Sequence, residues 1–167
     1  MTDRFARLTI SFLFLILSFV CLLIDQLPYF MIPYFNVHIP FIIIVVFYFA
    51  IFHPTVMNSV LAFFIGLMAD MITNSPLGLQ AFLFSGLFFF TNLNRKFLLQ
   101  RTFSGLWIYF TISALIYYIV WYVLFSLKSL TLLNIMPLMV QYVFVVLFYP
   151  IVVGICGSLN NKLGEKL

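Results

Sequence analysis

The stretch NSVLAFFIGLMADMITNSPLG, Asn58–Gly78, decides how the rest of the chain is read. As far as Thr73 it holds a single charged side chain, Asp70, in a run that is otherwise apolar or small. Asn58, Ala62, Gly66 and Asp70 recur every fourth position, which gathers them on one helical face with Ser59 and Ala69 beside it. Phe63, Phe64, Leu67 and Met71 take the remaining surface. Thr73-Asn74-Ser75-Pro76 then supplies a turn: proline disfavours helix in the residue before it, and Asn and Ser side chains bond to nearby backbone. A second apolar run opens at Leu77. Two apolar helices joined by a tight turn, the first with a face of small residues, form a hairpin suited to lipid.

The whole chain has the same character. Its 167 residues are 65% hydrophobic and only 7% charged, against about 25% charged in ordinary soluble domains. So little charge cannot solvate the surface of a soluble protein of this size, which excludes a soluble globular domain. Runs such as Ile42–Phe47 are continuously apolar and lack the alternation of a transmembrane barrel strand. The expected fold is therefore all-α, a polytopic bundle of six transmembrane helices. Six crossings of about 20 residues each leave roughly 47 positions for connectors, and no room for a soluble catalytic domain.

The predicted spans are about 8–27, 38–52, 55–72, 77–93, 103–127 and 137–159, in one integral membrane domain over residues 1–167. The first lacks a small-residue cleavage pattern and reads as a retained helix. The second begins near Pro40 and is short unless it starts as early as Tyr34, while Pro150 predicts a kink in the sixth. Six crossings put Arg4, Arg7, Arg95, Lys96, Arg101, Lys162 and Lys166 on one side and Lys128 on the other. Because basic loops stay in the cytoplasm, this predicts a multi-pass membrane protein with both termini in the cytoplasm.

Two carboxylates fall within spans. At about 1.5 Å per residue, Asp25 and Asp70 lie roughly 26 Å and 23 Å along their helices, near the outer edge of a core about 30 Å thick. A proton relay or cation site, with Lys128 as partner, is one reading; interfacial solvation or helix capping is the simpler one, above all for Asp25. The small-residue face makes the third helix the expected centre of the bundle. Gly154 and Gly157 read as close-packing positions, and Cys21 and Cys156 as small packing residues. His38 and His53 flank opposite ends of the second span, too far apart to share a metal. The phosphate-cradling, zinc-hydrolase and serine-nucleophile motifs are absent, so no catalytic, cofactor or metal residues are expected. The aromatic residues are not interleaved with basic ones, which argues against nucleic acid.

The stretch from Gly66 to Leu79 resembles the signature of the MreD family of bacterial rod shape-determining membrane proteins. Gly66, Asp70, Ser75, Pro76, Leu77 and Gly78 fill the positions of that pattern: a glycine, an aspartate four residues on, then a turn with a small residue, proline, leucine and glycine. The resemblance implies a non-enzymatic scaffold of the cell-elongation machinery, with this hairpin as the structural or partner-binding element. Implied partners are MreC and, directly or indirectly, MreB filaments, RodA and a class B penicillin-binding protein involved in peptidoglycan synthesis. Membrane lipid and a second copy of the chain are further candidates. It also implies a fold like the substrate-binding component of energy-coupling-factor transporters. A vitamin-transport component is therefore the alternative function, although the first helix lacks the small-residue seam that such a component uses to dock.

Overall fold

The computed structural model describes residues 16–25, 30–32, 35–37, 40–54, 57–73, 75–129 and 134–164. The starting point of the first span, together with Arg4, Arg7, His38 and Asn74, lies outside them. The described chain is dominated by helices: α1 (residues 16–24), α2 (Ile42–Phe52), α3 (Ser59–Thr73), α4 (Leu79–Leu93), the single turn α5 (Arg95–Leu98), α6 (Phe103–Ser129) and α7 (Met136–Gly164). A short antiparallel ribbon, β1 (Phe30–Ile32) and β2 (Phe35–Val37), accompanies the helices without changing the all-helical class, pairing Phe30 with Val37 and Ile32 with Phe35. The second helical segment therefore does not reach back to Tyr34. It begins at Ile42, after Pro40 and Phe41.

Among the described residues, only α6 and α7 are long and apolar enough by themselves to cross a membrane, over Phe103–Lys128 and Met136–Ser158. At about 1.5 Å per residue α3 and α4 are roughly 22 Å long and α2 roughly 16 Å, short of a core of about 30 Å. Burial explains how α2 can be so short. Ile42 to Ile51 are all buried, so this helix meets protein on every side and packs against α4 and α7.

The bundle is therefore centred on α2 and not, as the small-residue face suggests, on α3. Helix α3 packs chiefly against α4 and leaves Val60, Phe64, Met68 and Met71 exposed. A small-residue stripe shows where one neighbour comes close; it does not require neighbours all round.

Both ends of α2 lie inside protein, and each is closed by a charged side chain from elsewhere. At the N-terminus the Asp25 carboxylate accepts the backbone N–H of Phe41 at 2.9 Å and of Ile42 at 3.4 Å. At the C-terminus the Arg95 Nε donates to the Ile51 carbonyl at 2.7 Å. Negative charge thus sits at the positive end of the helix dipole and positive charge at its negative end.

Aromatic packing fixes α2 sideways: the ring of Phe47 lies 5.1 Å from that of Phe110 on α6 and 6.1 Å from that of Tyr149 on α7. Helix α7 runs without a break through Pro150. Proline has no N–H to offer the carbonyl four residues back, Val146, and the indole of Trp107 on α6 donates there instead at 3.0 Å.

Because lipid tails are as apolar as the core, truncating a residue of α2 removes packing but little transfer energy. Phe47→Ala should cost about 1–3 kcal/mol, seen as a lower Tm of the detergent-purified protein. Exposed Phe64→Ala should leave Tm nearly unchanged. Equal effects from the two would contradict the placement of α2 at the centre.

Candidate functional site

The hairpin between α3 and α4 begins with a close approach. A Cβ added to Gly66 would run into the Cα and N of Ala81 and would lie 2.7 Å from the carbonyl carbon of Gln80. Glycine is therefore required at position 66, because its bare backbone is what α4 rests on. Ala62, Ala69 and Asp70 are buried with Gly66 on the same side of α3. Asn58 stands apart from them. It is exposed, and its Oδ1 accepts the Leu61 N–H at 2.7 Å, as an N-cap does.

One turn after Gly66, Asp70 is 1% exposed and organises the connection. Its Oδ1 accepts the Ser75 hydroxyl at 2.6 Å and the Gln80 N–H at 2.9 Å, while Oδ2 accepts the Gly78 N–H at 2.8 Å. The Asp70 carbonyl also accepts the Ser75 N–H at 3.2 Å, closing the last turn of α3. A buried carboxylate thus becomes the cap of the following helix, where oriented N–H groups and the helix dipole favour negative charge.

The other motif residues serve that geometry. Gly78 has φ +94°, which an L side chain rarely adopts, and this turns its N–H toward Asp70 while its carbonyl accepts the Phe82 N–H at 2.9 Å. The Pro76 carbonyl accepts the Leu79 N–H at 3.1 Å. Leu77 at the tip is 73% exposed, an apolar side chain offered outward.

Two residues outside the sequence motif complete the corner. The Gln80 Nε2 donates to the Thr73 Oγ1 at 2.9 Å, and that hydroxyl donates to the Ala69 carbonyl at 2.8 Å. Arg95, counted from the sequence only as a cytoplasmic charge, proves to be the C-terminal cap of α2. Its position just after a helix end was the available signal, but its partner lies 44 residues away. Among the described residues no cluster of His, Cys, Asp and Glu could hold a metal ion. Cys21 and Cys156 are buried and free.

The same glycine and carboxylate, at the same junction, fall inside a match to a family model described as MreD, rod shape-determining protein, which covers residues 6–159. The chain belongs to the MreD family. Membership gives it a role in determining rod shape and places it among membrane proteins. No curated protein and no solved structure gives a significant match. The MreD match extends well beyond the hairpin, from before α1 to residue 159 within α7.

The hairpin geometry ranks its own substitutions. Gly66→Ala should force α3 and α4 apart at a cost of about 1–3 kcal/mol or more, whereas Gly86→Ala, with open space around its Cβ, should be neutral or slightly stabilising. Thermal unfolding in detergent reads both. Asp70→Ala leaves two backbone N–H groups and a hydroxyl without their acceptor and should cost more than about 2 kcal/mol. Asp25→Ala releases two N–H groups, one already at 3.4 Å, and should cost less. The reverse order would show that α2 and not α4 is the more dependent on its cap.

Proposed function

We propose that this chain is a non-enzymatic scaffold of the elongation machinery, associating in the membrane with MreC and, directly or through it, with MreB filaments, RodA and a class B penicillin-binding protein. The observation that carries the proposal is the Asp70-capped hairpin. The chain's intramembrane carboxylates are committed to holding helix ends, which favours a rigid presenting surface over chemistry. Leu77, exposed at the tip of that corner, and the aromatic side chains exposed on α3 and α4 are apolar surface for a membrane-embedded partner, for lipid, or for a second copy.

Six alternating crossings are the arrangement we favour. The end of α1 meets the start of α2 through Asp25, and the end of α3 meets the start of α4 through Asp70. The end of α2 meets Arg95, just after α4 ends. Leu22 and Ile42 share a cavity with Gln80, Phe125 and Leu138, so the end of α6 and the start of α7 join the same pole of the bundle. Arg95, Lys96 and Arg101 then lie at the opposite pole, which the preference of basic residues for the cytoplasm makes the inner one. Such a bundle would share its helix count with the transporter components named above, an analogy of fold alone. Against transport, the exposed side of α1 carries Ile16, Phe19, Val20 and Leu23, bulky residues where docking would need small ones.

In a rod-shaped host depleted of its own family member, cells should become round, and this chain should restore rods while its Gly66→Ala and Asp70→Ala forms should not. MreC should co-purify with the wild type and less with Asp70→Ala than with Asp25→Ala. Reporter fusions should place Gln100 in the cytoplasm and Lys128 outside. Normal rods with loss of uptake of one vitamin would refute the scaffold and favour transport; Gln100 outside would refute the orientation.

A further inference from the structure

At the pole opposite Arg95, the described residues line a half-open cavity of about 330 Å³ between the end of α1, the starts of α2 and α4, and the facing ends of α6 and α7. Its size lies in the lower part of the range of small-ligand sites, about 300–1,000 Å³. The lining is unlike the rest of this chain. Gln80 and Gln141, two of only four glutamines in the sequence, face it together with Asp25, Thr73, Tyr118 and Trp121. Polar groups set among apolar helices cost free energy unless something satisfies them.

The charges narrow the ligand. Among the described lining residues there is no Lys or Arg, so phosphates and carboxylates meet no cationic partner there. The Asp25 carboxylate is already engaged by the N–H groups at the start of α2, which leaves little for a cation to gain. What remains is a neutral molecule with hydrogen-bonding edges. With its Nε2 committed to Thr73, Gln80 still has a carbonyl to offer, and Gln141 brings an amide with both donor and acceptor. Trp121, held by stacking on Phe125 with ring centroids 4.9 Å apart, supplies a flat apolar wall.

Amides beside an aromatic wall, with no positive charge among the described lining residues, suit a sugar ring: its hydroxyls meet the amides and its C–H face lies on the indole. We propose that this cavity is a binding site for an uncharged saccharide, either free or as the headgroup of a glycolipid. The site goes beyond the scaffold role. Its affinity is measured on purified protein, so a failure there is distinct from a failure to restore rods.

The test uses the full chain in a detergent without a sugar headgroup. N-acetylglucosamine, the same sugar carried on an alkyl chain, and the charged relatives glucosamine and glucuronate are titrated while tryptophan fluorescence is followed. A saturable change with the neutral sugar, at least tenfold weaker with either charged form, is the expected result. A response to the alkylated form alone supports the proposal and assigns the site to a glycolipid headgroup. Gln141→Leu should weaken binding at least tenfold. Gln141→Glu, close in size but charged, should weaken it as well without lowering Tm, and this keeps the test valid if Gln141→Leu misfolds. No saturable response to either neutral form overturns the proposal, leaving a cavity filled by water. So does tighter binding of a charged relative, or a peptide adduct from a photocrosslinker at position 141 in a protein that ignores sugars.

Discussion

A helix end buried away from water must find partners for its free N–H and C=O groups within the protein, and α2 shows how much of this structure follows from that demand. The helix is too short to reach both faces of a bilayer and is enclosed by its neighbours. Asp25 closes one end and Arg95 the other, so a residue at the end of α1 and another following α4 are tied to the same central rod. Those ties set how far each of these segments sits along the axis of α2, and through α4 they also place α3.

The same demand recurs wherever the backbone is interrupted. Asp70 does for α4 what Asp25 does for α2, with a serine hydroxyl and a left-handed glycine added to shape the turn. Trp107 fills the acceptor that Pro150 leaves open, joining α6 to α7 at the point where α7 is weakest. A chain with so few polar side chains has spent several of them on holding backbone, which agrees with a protein whose contribution is shape and contact.

The sequence discloses those features whose cause is local. Turn chemistry at Ser75-Pro76, the apolar runs and the four-residue spacing through Ala62, Gly66 and Asp70 are each legible within a window of a few turns. The importance of Gly66 is visible there too, although its clash with Ala81 is not. Arg95, Trp107 and the central place of α2 stay hidden for one common reason. Their partners are 39 or more residues away, or, for α2, the difference is between protein and lipid as surroundings, and both select the same apolar side chains. The ribbon at residues 30–32 and 35–37 was missed because its apolar residues merge with those of the helix that follows.

Helices of unequal reach have an effect on the bilayer itself. Helices α3 and α4 are roughly 22 Å long, and α6, which packs beside α4, is roughly 40 Å. If all three cross the membrane, hydrocarbon about 30 Å thick would thin beside α3, and the long helix would lean to bury itself. The lipid collar would then be lopsided, and neighbours with similarly short spans would meet the least deformation on the α3 side. Hydrophobic mismatch would thereby give this small protein a preferred side for company before any specific contact is made.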